Sequence, residues 1–293
     1  MTTRTLARCL SIGLLGIAFV DVRTAHAQPA STPSSSTGPG AAASQSAAVA
    51  DDEGSLQLAE PDFRVVALPT TLRLPLHGSN FQLTHRFNGN LRNGSFSQQA
   101  SNLFGLDQGA VVGFEYRFGI VRHVQAAVYR TAIDKTFQFY GKYDAVHQGT
   151  SVPLSISALA SIEGGNNFQD RYAPALGAVV SRTVSDRFAM YATPIWVHNT
   201  AAILNIDRDT FFVGVGGRVR LGPTTYVVAE MSPRVAGYNP DKPAFDVAIE
   251  KRAGGHMFQL NFTNTFAMTY GQIARGGSPN TLYLGFNLAR KFF

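Results

Sequence analysis

Residues 281–293 read TLYLGFNLARKFF. Leu282, Leu284, Phe286 and Leu288 alternate with Tyr283, Gly285, Asn287 and Ala289. That period of two predicts a strand with one apolar and one mixed face. The even-numbered frame continues through Arg290 to Phe292 and leaves Phe293 out of phase. Either a bulge near Arg290 shifts the ladder, or Phe292 closes the apolar face. The strand needs partners, and the remaining chain says what kind.

After Phe63 the same alternation recurs in short runs separated by turn residues, with no helical window of useful length. Strands are expected near 80–88, 110–118, 122–131, 136–145, 152–163 and 172–184. Six more follow near 187–198, 210–221, 225–234, 244–252, 256–265 and 281–293, twelve in all. An earlier run, Arg64 to Leu74, is interrupted by Pro69 and Pro75, which cannot donate to a ladder. Connection lengths support twelve. The segments 89–109, 132–135, 164–171, 199–209, 235–243 and 266–280 face one end. The turns 119–121, 146–151, 185–186, 222–224 and 253–255 face the other, and all of the first set except 132–135 exceed every member of the second. Long loops outside and short turns in the periplasm are the pattern of a transmembrane barrel. Counting 64–74 as a span inverts that pattern. The expected fold is all-β, a transmembrane antiparallel barrel of twelve strands.

Face polarity follows from the alternation. Val112, Phe114, Tyr116 and Phe118 alternate with Gly113, Glu115 and Arg117; Phe258, Leu260 and Phe262 alternate with Gln259, Asn261 and Thr263. Lipid satisfies no polar group, so the apolar set is expected outside and the polar set inside. The expected lumen lining is Arg86, Glu115, Arg117, Gln138, Lys142 and Arg218, with Arg220, Glu230, Asp246, Glu250, Gln259 and Asn261. If Gly222-Pro223-Thr224 is a three-residue turn, Glu230 stands opposite Gly216 and diagonal to Arg218, within cross-strand reach. These charges form either a self-neutralising network or a charge filter along a hydrated path. Trp196, Tyr116, Tyr143 and Tyr172 suit an interfacial girdle.

Composition agrees. Charged residues make up 15% and aromatics 11%, with 28 glycines, against about 25% charge in soluble domains. Residues 1–27 have the form of a secretory signal. Arg4 and Arg8 precede an apolar core from Leu10 to Val20, and Ala25-His26-Ala27 offers a cleavage site after Ala27. Residues 28–62, rich in Ala, Ser and Pro, are expected to be a disordered periplasmic linker, because they carry too little apolar surface to offset ordering entropy. The barrel then occupies 63–293. Loss of Arg4, Arg8, Arg23 and Asp21 takes the net charge from +6 to +4, spread without a basic run. Nucleic acid is not an expected partner. Cys9, the single cysteine, falls in the signal, so the mature chain has no thiol chemistry.

No histidine pair has metal-ligand spacing, and neither metal nor cofactor is expected. His256, after two glycines, is expected at a turn. His198-Asn199-Thr200 are adjacent on a strand and alternate faces, so they do not assemble a nucleophile and base. Gly214-x-Gly216-Gly217 precedes no helix and reads as a place of close packing rather than a phosphate loop.

Several stretches carry a resemblance: Gly105-Leu106-Asp107-Gln108-Gly109-Ala110 leading to Phe114-Glu115-Tyr116, then Tyr129-Arg130, Asp134-Lys135-Thr136, Lys142-Tyr143, Val197-His198, Gly216-Gly217-Arg218 and Glu230. The most distinctive run is Gly254-Gly255-His256-Met257-Phe258-Gln259-Leu260 with Phe262-Thr263-Asn264, followed by Gly285-Phe286-Asn287. Over residues 63–293 the chain resembles an uncharacterised family of bacterial outer-membrane β-barrel proteins, catalogued as a domain of unknown function. The resemblance implies a barrel and the cell outer membrane, and supplies no catalytic residues. The expected partners are the lipid bilayer and the barrel-assembly machinery, reached through Phe292 or Phe293. The expected role is a passive pore or small-solute transporter with a polar, mixed-charge lumen. The alternatives are a non-conducting scaffold binding through outer loops or linker, and a barrel-embedded hydrolase.

Overall fold

The computed structural model describes residues 58–204, 208–240 and 242–293. The expected signal and most of the expected linker lie outside them. Among the described residues the strands are β1 (Ser79–Asn90), β2 (Ala110–Val121), β3 (Val124–Thr131), β4 (Phe137–Val146), β5 (Ser155–Gly164), β6 (Asp170–Ser185) and β7 (Phe188–Val197). They continue as β8 (Thr210–Arg220), β9 (Thr225–Ser232), β10 (Arg234–Gly237), β11 (Ala244–Ala253), β12 (His256–Thr263) and β13 (Tyr283–Phe292). β9 and β10 are one span interrupted at Pro233, which has no N–H for the ladder; the register against β8 carries on across it and shifts between Arg234 and Ala236. β1 pairs with both β2 and β13, so the sheet closes. It is a closed antiparallel barrel of twelve spans. No described helix is long and apolar enough to cross a membrane; the crossings are strands.

The β1–β13 ladder runs without a break from Ser79 opposite Phe292 to Arg86 opposite Gly285. There is no bulge at Arg290. Phe292 therefore ends the outward face, and Phe293 follows it, exposed, beyond the strand. Elsewhere Phe114, Tyr116 and Phe118 are exposed while Glu115 and Arg117 are buried, and Phe258, Leu260 and Phe262 are exposed while Gln259 and Asn261 are buried. A water-soluble barrel has the opposite polarity. Large apolar side chains are exposed around the outside of the sheet, where soluble monomers keep contiguous apolar patches small, and lipid is the solvent that suits them.

The interior is filled from both ends. From the short-turn end, residues 58–74 insert and double back at Val65–Leu68: the Val65 N–H donates to the Leu68 carbonyl at 2.8 Å and the Thr70 N–H to the Phe63 carbonyl at 2.9 Å. Ala59, Val65, Val66 and Leu68 are 0% exposed. The expected linker boundary at 62 is thus too late, because Ala59 and Glu60 are already packed inside. Residues 64–74 are neither a span nor a periplasmic strand; they lie within the wall. The two prolines stop them from joining the sheet, and their apolar residues find cover in the lumen instead.

From the long-loop end, the segment 266–280 also turns inward, contrary to its reading as an outside loop. Its apolar run Ala267, Met268, Tyr270, Ile273 and Ala274 is buried. Thr269 caps a short helix, Tyr270–Arg275, by accepting from the Gln272 N–H, and Gly276 ends it at φ +86°. One apolar cluster joins this segment to Ala67 and Leu68 of the inserted turn and to Tyr129, Ile195 and Phe212 of the wall.

The glycines of β8 make room for the inserted turn. A Cβ at Gly214 would lie 2.7 Å from both Leu68 methyl carbons, and one at Gly216 would lie 3.5 Å from Val65. Leu68 is fully buried and cannot swing away. Gly214→Val is therefore expected to destabilise the seated segment by about 1–3 kcal/mol, the usual cost of overpacking. Limited proteolysis checks this: residues 58–74 should become cleavable while the barrel keeps its heat-modifiable migration on a gel.

Candidate functional site: a charged lumen holding the N-terminal segment

Strand parity sends one polar side chain inward every second residue, and the inserted segment meets them. Glu115 lies between two guanidiniums. Arg64 of the segment donates from Nε at 3.0 Å and also from Nη2, and Arg117 donates from Nη2 at 2.7 Å. All three groups are at most 1% exposed. Arg64 also donates to the carbonyl of Ala67 and, at 3.5 Å, to that of Met268, which links the inserted segment to the inward-folded loop. Arg117 reaches Gln125 and the Tyr140 hydroxyl.

Glu230 does stand opposite Gly216. Its carboxylate, however, does not pair with Arg218. It accepts from the backbone N–H groups of Val66 at 2.9 Å, Ala67 at 2.8 Å and Leu68 at 3.2 Å. Arg218 instead forms a two-pronged pair with Glu250, at 2.8 Å and 2.9 Å, and gives a third hydrogen bond to the Arg64 carbonyl. Lys142 donates to the carbonyls of Thr70 and Leu72 and lies 3.3 Å from Asp144. Gln259 and Asn287 donate to the carbonyls of Val65 and Val66. Wall side chains hold the segment largely by its backbone.

The remaining positions are distributed around this contact. Arg86 donates to Asn287 and to the Met268 sulfur. Asp246 is buried opposite Glu230. Gln138 is buried with neither amide atom partnered, and the Asn261 Oδ1 is likewise unpartnered. Arg220 points inward but sits at the rim, half-buried, 3.7 Å from Asp186 and bonded to the Pro223 carbonyl. Sequence reasoning missed Asp144, Glu163 and Asn287, which follow the inward parity of β4, β5 and β13. It also missed Glu60, Asp62 and Arg64, for which no strand periodicity exists.

His198 and Thr200 do not meet. His198 Nδ1 lies 2.7 Å from Asp209, and the Thr200 hydroxyl donates to the Val197 carbonyl. His256 opens β12 and stacks near Phe258. Among the described residues no group of three or more His, Asp, Glu or Cys is placed to hold a metal.

A closed barrel with an apolar exterior and a polar interior has its counterpart in a known family. The model of the membrane bound beta barrel domain (DUF5777) matches residues 62–292. The chain belongs to that family. As a DUF5777 barrel it is embedded in a lipid bilayer. No curated protein matches in sequence. Among solved structures it is similar to the KdgM porin in complex with disordered oligogalacturonate, at 8% identity and TM-score 0.48, over 74% of this chain and 99% of that one. It is also similar to the NanC porin, at 4% identity and TM-score 0.48, over 73% and 100%. A third is the Acinetobacter baumannii outer membrane protein Omp33, at 12% identity and TM-score 0.42, over 74% and 98%.

Proposed function

We propose that this DUF5777 barrel is a gated diffusion channel of the bacterial outer membrane, closed when residues 58–74 are seated and open to small polar solutes when they withdraw. The observation that carries this reading is the chemistry of the seat. Carboxylate, guanidinium, ammonium and amide groups of the wall bind the segment through backbone atoms and one ion pair. Water and polar solutes offer the same hydrogen bonds, so the wall stays satisfied when the segment leaves. A wall built only to be filled is better served by apolar residues, since well-packed apolar groups are often as stabilising as buried ion pairs.

Both ends of the segment lie at the short-turn end, the periplasmic one in this reading. The withdrawn residues then enter the periplasm, next to the expected linker. Phe292 and Phe293 are assigned to recognition by the assembly machinery, and the mature chain is taken to start after Ala27.

Planar-bilayer recording tests the channel. The full chain is expected to be closed or to open briefly, and a chain lacking residues 58–74 to conduct steadily. A deletion variant that still migrates as a heat-modifiable barrel yet passes no current at any voltage removes the channel reading. The filled lumen then favours the second one, a non-conducting scaffold that binds a partner through its loops or linker.

A further inference from the structure

The inward-folded segment 266–280 leaves a cavity of about 160 Å3 at the long-loop end, lined among others by Ile133, Thr265, Phe266, Gln272, Arg275 and Tyr283. We infer that this cavity is a binding site for small carboxylate solutes, the point at which they are taken up from outside. As an uptake point it rests on the channel reading; as a binding site it stands alone.

Three features support it. Gln272 is more than nine-tenths buried, and its Oε1 accepts from the Met268 N–H, which orients the amide. Its Nε2 has no partner in the protein. A buried donor left unpaired is costly, and Gln272 is one of the residues that line the cavity. Second, Arg275 shares the wall with only part of its guanidinium engaged: Nη1 donates to the Thr200 carbonyl at 3.3 Å and lies 3.9 Å from Glu163. A carboxylate takes two N–H groups of an arginine at once. Third, Phe266 and Tyr283 pack with ring centroids 4.3 Å apart and give the cavity an apolar side for the solute's carbon skeleton.

Charges nearby leave room for an anion. Glu163 is the acid next to Arg275, and its other oxygen is held by the Gly271 N–H at 3.0 Å. Asp134, on the turn beside Ile133, is paired with Arg171 at 2.7 Å. The Arg234 guanidinium packs against Gly276, which also lines the cavity. The volume lies below the roughly 300 Å3 at which sites for drug-sized ligands begin, which limits the solute to a small acid. The same segment touches Arg64 through Met268, so the site adjoins the gate.

Isothermal titration calorimetry of the full chain in detergent tests the inference, with sodium succinate and sodium glucuronate as probes and succinamide and glucose as uncharged counterparts. Both carboxylates are expected to bind and the uncharged compounds to bind at least about tenfold more weakly, as for the loss of one charge-assisted hydrogen bond. Arg275→Ala should weaken the carboxylates by a similar factor. Gln272→Glu keeps the Oε1 acceptor, turns the donor into an anion and should abolish binding. If Arg275→Ala does not fold, Gln272→Glu and Arg275→Lys decide the matter, the lysine variant binding with intermediate affinity.

Equal binding of charged and uncharged probes, no binding of either carboxylate, or unchanged affinity in Gln272→Glu overturns the inference. Calorimetry separates it from the channel reading. Binding without conductance in the deletion variant removes the channel and keeps the site, and conductance without binding does the reverse.

Discussion

Glu115→Ala is expected to destabilise the folded barrel by about 3–5 kcal/mol, the usual loss when one partner of a buried ion pair is removed. Glu115 is the carboxylate shared by Arg64 and Arg117, and all three are sealed from solvent. Its loss leaves two buried guanidiniums facing each other with no intervening charge. Arg64→Ala is expected to cost less, because Glu115 keeps Arg117. The ranking is the informative part. Heat-modifiability midpoints on a gel measure it, and a smaller effect for Glu115→Ala than for Arg64→Ala would mean that the shared carboxylate does not organise the lumen. Glu115→Ala also affects both sides of the seat, wall and inserted segment, so it should loosen residues 58–74 and lower the barrel's midpoint together.

Glu230→Ala should separate those two effects. It removes the acceptor for the N–H groups of Val66, Ala67 and Leu68. Hydrogen bonds to a charged group are worth about 1.5–3 kcal/mol each, so even partial non-additivity leaves a loss of several kcal/mol. The β8–β9–β11 ladder does not depend on the carboxylate, so the barrel should persist while the segment leaves. Proteolysis is expected to cut within 58–74 in Glu230→Ala, and bilayer current to rise toward that of the deletion variant. Glu230→Gln keeps one acceptor oxygen and should fall between. A segment as protected in Glu230→Ala as in the parent chain would show that the apolar cluster around Leu68 alone retains it.

The twelve spans and their inner and outer faces were legible because strand periodicity and turn chemistry are local. Phe258-Gln259-Leu260-Asn261-Phe262 announces its two faces within five residues, whatever it pairs with. Glu230 opposite Gly216 was legible as well, since a short turn sets the register. Which partner the Glu230 carboxylate takes was not. Arg218 on the next strand and the N–H groups of Val66 to Leu68 compete for it, and the second partner lies 162 to 164 residues away in sequence.

Sequence by itself determined the all-β class and the number of spans. Tertiary structure alone decided what fills the lumen. Residues 58–74 and 266–280 have no periodicity that names a destination. Their apolar groups become buried only because a closed wall, with Gly214 and Gly216 recessed on β8 and free acceptors and donors on either side, already has the space and polarity to receive them.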